Sequence, residues 1–93
     1  CFANTADFYC SMGNIYLNLT NPQPLKAMME YVKASQCPEA REEGSNTFIP
    51  YYNMGIINEM LGNVPAAINF YQKSAAYHYP LAEERLSVLN RQC

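Results

Sequence analysis

Ninety-three residues carry a net charge of −2, with 49% apolar and 15% charged side chains. A chain of that size builds one small domain, and its scattered basic residues form no stripe of the kind that follows a phosphate backbone, which speaks against nucleic acid as a partner. No apolar run reaches the ~20 residues of a membrane helix, so no membrane span is expected.

In chain order, the apolar periodicity predicts a first helix over about residues 4–19 and a second over about 23–36, with Asn21 as a candidate N-cap. The polar stretch "PEAREEGSN" at 38–46, containing Gly44, reads as a loop. A third helix follows over about 47–61, with Ser45, Asn46 or Thr47 as its cap. A fourth covers about 64–78 after Asn63, and a fifth about 80–92, with Pro80 in a first-turn position where its missing N–H is harmless. Leu81, Leu86, Val88 and Leu89 form the apolar side of that last helix.

The chain repeats itself. "YCSMGNIY" at 9–16 lies over "YYNMGIIN" at 51–58, pairing Tyr9 with Tyr51, Met12 with Met54 and Gly13 with Gly55. Downstream, Ala27 pairs with Ala67, Tyr31 with Tyr71 and Lys33 with Lys73. The register changes by two residues in the first turn, "NLTNPQP", which is longer than "LGNVP", and length changes belong in turns. One unit therefore spans about 4–37 and the other about 47–79, each a pair of helices, with a terminal helix over about 80–92.

The succession Tyr9, Met12, Gly13, Tyr16, Ala27, Tyr31, Ala34 and Pro38 resembles the tetratricopeptide repeat, in which an aromatic, Leu-Gly and a second aromatic mark the first helix, and Ala, an aromatic and Ala the second. The second copy reads Tyr51, Met54, Gly55, Asn58, Gly62, Ala67, Tyr71, Ser74 and Pro80; Asn58 replaces an aromatic, Ser74 an alanine, and Met twice replaces Leu. The chain also looks like the disulfide-containing helical-pair repeats of secreted bacterial proteins. The resemblance implies an all-α fold of antiparallel helical hairpins stacked as a short solenoid. It explains why two helices tolerate a central glycine that costs about 1 kcal/mol against alanine: Gly13, Gly55, Ala27 and Ala67 are expected to let helix backbones approach while Tyr9, Tyr31, Tyr51 and Tyr71 fill the space beside them. It also implies an interaction face on the first helices of the hairpins, at Cys10, Asn14, Leu17 and Asn18 and at Tyr52, Ile56, Glu59 and Met60. That face lacks the basic residues that clamp a peptide carboxylate in some relatives and suits an apolar helix or a neighbouring copy; the bland alternative is packing within the domain.

Catalytic chemistry finds little support. His78 is alone, placed near the end of the fourth helix where a cation suits the helix dipole. Glu42–Glu43 and Glu83–Glu84 are neighbours about 100° apart on a helix and cannot act as a facing carboxylate pair. No phosphate loop, dinucleotide fingerprint or metal motif occurs, so no enzyme activity, metal or cofactor is expected. Tyr52, Tyr77 and Tyr79 are free of core duties in the repeat and suit an interface. Asn18-Leu19-Thr20 is a glycosylation sequon.

Four cysteines stand at 1, 10, 37 and 93, an even count that favours disulfides and an oxidising compartment over buried free thiols in a cytosolic chain. The chain opens at Cys1 with no charged n-region ahead of it, so no signal peptide is expected among these residues. In an antiparallel hairpin Cys10 lies level with Cys37, making Cys10–Cys37 the preferred bond, with Cys1–Cys37 its rival. Cys1 and Cys93 are then candidates to join successive copies. Glu83, Glu84, Arg85 and Arg91 would partly cap the last helix, whereas "CFANTADFY" carries one charge, Asp7, and leaves the other end poorly capped. The expected function is a secreted or periplasmic, surface-located assembly subunit that self-associates head-to-tail into a multimer or fibril. The alternatives are a monomeric adaptor holding a peptide in the groove of the first helices, or a lipoprotein lipidated at Cys1.

Overall fold

A computed structural model describes residues 6–37 and 44–92, with side chains up to Leu89 in the last helix. Its described residues fold into five helices: α1 (Ala6–Leu17), α2 (Pro24–Gln36), α3 (Phe48–Met60), α4 (Val64–Ala75) and α5 (Pro80–Gln92). None of the described residues forms a strand. α1 packs on α2, α3 on α4, α2 on α3 and α4 on α5. The all-α architecture and the helix order agree with the sequence pattern.

Both hairpins are built by the same three contacts. In each, a glycine of the first helix receives the ring of a tyrosine from the second. A Cβ added at Gly13 would lie 2.7 Å from Cζ of Tyr31, and one added at Gly55 would lie 2.6 Å from Cε1 of Tyr71. Both tyrosines are fully buried, as are Ala27 and Ala67 one turn before them. The glycines thus make room for an aromatic ring rather than for backbone contact alone, which refines the expectation. Each turn is then closed by one backbone bond at equivalent places, Gln23 N–H to Tyr16 O at 3.0 Å and Asn63 N–H to Asn58 O at 2.8 Å. At the open end, Lys33 sits over the Tyr9 ring at 5.9 Å and Lys73 over the Tyr51 ring at 5.8 Å, a cation–π contact worth about 0.5–1 kcal/mol at an exposed site.

Helix ends differ from the sequence reading. Gln23, not Asn21, precedes α2, and no side-chain bond caps it; Thr47 and Asn63 occupy the expected cap positions of α3 and α4 without side-chain cap bonds. Pro24 opens α2 and Pro80 opens α5, where a residue without an N–H loses nothing. α4 stops at Ala75, and His78 lies beyond it in a left-handed conformation with φ 63°. His78 is therefore a turn residue beyond α4, with its backbone N–H donating to Ala75 O at 2.8 Å.

The cysteine pairing is corrected. Cys10 is a free, buried thiol. α1 turns Tyr9, Gly13 and Tyr16 toward α2, and Cys10, about 100° round from Tyr9, points instead to the start of the second hairpin, where its Sγ donates to Ser45 O at 3.2 Å. Cys37 is disulfide-bonded. Its partner is not Cys10; Cys1 and Cys93, and with them the Cys1–Cys37 and Cys1–Cys93 pairings, lie outside the described residues, as do Pro38, Glu42 and Glu43.

The glycine notch yields a signed test. On an unencumbered helix, Gly→Ala stabilises by about 1 kcal/mol. Gly55→Ala should instead lower the unfolding free energy by about 1–3 kcal/mol through overpacking against Tyr71, as read from urea unfolding.

Candidate functional site

Along α3 the turn spacing sets Tyr52, Ile56, Glu59 and Met60 on one side, the side the sequence assigned to interaction. α4 and α5 complete a pocket of about 490 Å³ there with Tyr71 and Arg85. The Tyr71 ring lies over Gly55 and its hydroxyl reaches one turn further along the same face of α3, where it donates to Glu59 Oε1 at 2.7 Å. Arg85 donates through Nε to Glu59 Oε1 at 2.6 Å and through Nη2 to Glu59 Oε2. Arg85 was expected to help cap the last helix toward solvent; it is half-buried and forms an ion pair with α3 instead. The doubly bonded guanidinium holds the Glu59 carboxyl below its ordinary value, assisted by the Tyr71 hydroxyl and opposed by burial. Burial, followed by the Glu59 hydrogen bond, pushes the Tyr71 phenol up.

An aromatic array borders this pocket. Tyr79 packs edge-on against Tyr52 at 5.4 Å and lies 4.5 Å from Phe48, and Tyr52 lies 5.6 Å from Tyr71. Tyr52 and Tyr79 are thus engaged within the fold, while Tyr77 stays exposed at 51%.

The matching place on the first hairpin is a smaller pocket of about 240 Å³ with Asp7, Cys10, Asn14 and Ser45 among its walls. The Tyr31 hydroxyl donates to Asn14 Oδ1, the counterpart of the Tyr71–Glu59 contact. Ser45 Oγ donates to Asp7 Oδ1 at 2.9 Å. Burial, reinforced by the Asp7 carboxylate, pushes the Cys10 thiol up to about 11, the opposite of the depressed value a nucleophilic cysteine needs. Leu17 is half-buried and packs against the core. Asn18 is exposed just past α1, with its Nδ2 donating to Asn14 O at 2.8 Å. Among the described residues, no group of three or more His, Cys, Asp or Glu is placed to hold a metal ion, and no helix is long and apolar enough to cross a membrane.

A third surface escaped the sequence reading. Leu25, Met28, Met29 and Val32 of α2, with Lys33, line an open groove of about 520 Å³. Leu25 is 68% exposed and Met29 61%. The signal was available in the repeat, because the equivalent residues of α4 include Pro65, Asn69 and Gln72. No family model, curated protein or solved structure matches the chain.

Two outcomes follow from these geometries. In native protein at pH 8, Cys10 should resist iodoacetamide and become alkylated in step with urea unfolding, as read by peptide mass spectrometry. Because the Glu59 carboxyl is depressed in the folded state, its contribution is complete above the ordinary carboxyl value of about 4.3 and is lost as pH falls through the lower folded value. Glu59→Gln should therefore cost about 1 kcal/mol at pH 7, and the gap to the parent should shrink in unfolding titrations carried below pH 4.

Proposed function

We propose that the chain is a non-catalytic protein–protein interaction and assembly module, with two tetratricopeptide-like hairpins and a closing helix stacked as a short solenoid. The observation that carries the reading is the apolar surface of the first hairpin, where Phe8, Ile15, Leu25, Met29 and Val32 all stand exposed. Leu25, Met29 and Val32 line one open groove with Met28, and a grouped apolar surface of this kind supports an interaction site. The polar clusters that do occur are satisfied within the fold, Glu59 by Arg85 and Tyr71, and Asp7 by Ser45. Among the described residues these clusters join one helix to another, or α1 to the segment ahead of α3, and so serve the fold.

Self-association is the sharper form of the proposal. It includes the head-to-tail linkage of Cys93 in one copy to Cys1 in the next, which would extend into a multimer or fibril. The disulfide at Cys37 supports an oxidising compartment, secreted, periplasmic or at the cell surface, and Asn18 is exposed enough to take a glycan there. A second reading, an adaptor holding a partner peptide, is favoured by the pocket between Tyr52, Met60 and Arg85.

Sedimentation velocity from micromolar to millimolar concentration, with and without reductant, tests the main reading. Species heavier than the 10.6 kDa monomer should grow with concentration. A single 10.6 kDa species throughout would reject self-association.

A further inference from the structure

α2 and α4 hold equivalent places in their hairpins, each contributing a buried Ala and Tyr to the helix before it. Their outward faces are unlike. Where α2 carries Leu25, Met29 and Val32, α4 carries Pro65, Asn69 and Gln72, and all six are exposed. The same hairpin is built with Asn69 and Gln72 at two of those places on α4, so the fold does not require apolar side chains at Met29 and Val32. The spacing of Leu25, Met28, Met29 and Val32 is i, i+3, i+4, i+7, the stripe by which one helix receives another.

The border of the stripe identifies what it receives. Lys26, Glu30 and Lys33 recur along one edge at i, i+4 and i+7. Lys33 Nζ pairs with Glu30 Oε2 at 3.2 Å within this edge. A Lys–Glu–Lys edge matches itself when two such helices run antiparallel. In a parallel two-fold pair this edge would lie against the opposite border of the stripe and could not meet itself.

We propose that this face pairs with the same face of a second copy, α2 antiparallel to α2 about a two-fold axis beside Met28 and Met29. The inference rests on the self-association proposed above, names a surface for it and gives that surface a closed two-fold form distinct from the head-to-tail linkage. A two-fold contact is self-complementary, so each pairing occurs twice. Leu25 meets Val32 of the second copy, Met28 meets Met29, and Lys26 faces Glu30. The outer side of α5 exposes Glu83 and Glu84, which makes it a poor match for this stripe and disfavours an open chain built on it. One helix face falls short of the ~800 Å² per partner of a standard stable interface. The dimer is accordingly weak, with a Kd between about 10 μM and 1 mM.

Sedimentation equilibrium over that range should show a monomer–dimer equilibrium that stops at the dimer. Met29→Glu should weaken it at least tenfold, with the helical circular dichroism unchanged. Lys26→Glu and Glu30→Lys should each weaken it about three- to tenfold. An equimolar mixture of those two variants should recover the parent affinity within about twofold, because an antiparallel pair then sets Glu opposite Lys at both contacts. Dimers indifferent to Met29→Glu would overturn this surface while leaving self-association standing through another. Sensitivity to Met29→Glu without recovery in the mixture would overturn the antiparallel two-fold arrangement. A monomer at every concentration would overturn both the surface and the self-association reading.

Discussion

A tyrosine ring seated on a glycine is the contact on which both hairpins depend. It sets the separation of α1 from α2 and of α3 from α4, because a side chain at Gly13 or Gly55 would occupy the space of the Tyr31 or Tyr71 ring. It also sets the chemistry of the surface beside the notch. A phenylalanine would fill the notch equally well, but the extra length of tyrosine carries a hydroxyl through to Asn14 in one hairpin and Glu59 in the other. Core packing and surface polarity are thereby coupled through one side chain. The acceptor that waits at the far end decides whether the face is neutral, as at Asn14, or charged and bound to a third element, as at Glu59 with Arg85.

The parts of the fold legible in the sequence were those written by local spacing. Gly13 and Gly55 stood in the same frame of aromatic and sulfur-bearing neighbours, and the two-residue register change fell in a turn. Pro24 and Pro80 marked helix starts. The features that escaped depend on direction around a helix or on distant partners. Cys10 and Cys37 were level along the hairpin, yet one residue's rotation from Tyr9 turned Cys10 toward Ser45. Arg85 looked like a surface charge because its partner lies two helices away. His78 ends a helix in a left-handed conformation usually given to glycine or asparagine, and its residue type did not announce it. The common side of Tyr52, Ile56, Glu59 and Met60 on α3 was legible from helical spacing, and the fold gathers the four around one pocket. Leu17 packs against the core of the first hairpin.

The divergence of the two copies is as informative as their likeness. Ala34 and Ser74 are equivalent and both fully buried, but Ser74 adds a hydroxyl that donates to Phe48 O at 2.8 Å. That bond fastens the end of α4 to the beginning of α3, so the second hairpin closes its own mouth.

The first hairpin has an alanine at that place and is fastened from outside. Ser45 accepts the Cys10 thiol on its carbonyl and gives its hydroxyl to Asp7, and Asn46 Nδ2 donates to Cys37 O at 2.9 Å. Two consecutive residues ahead of α3 thus clip the start of α1 and the end of α2 together. The three bonds tie the first hairpin to the segment that begins the second. Any event that lifts Ser45 and Asn46 would break all three together and leave the Tyr31 ring on Gly13 to hold α1 against α2.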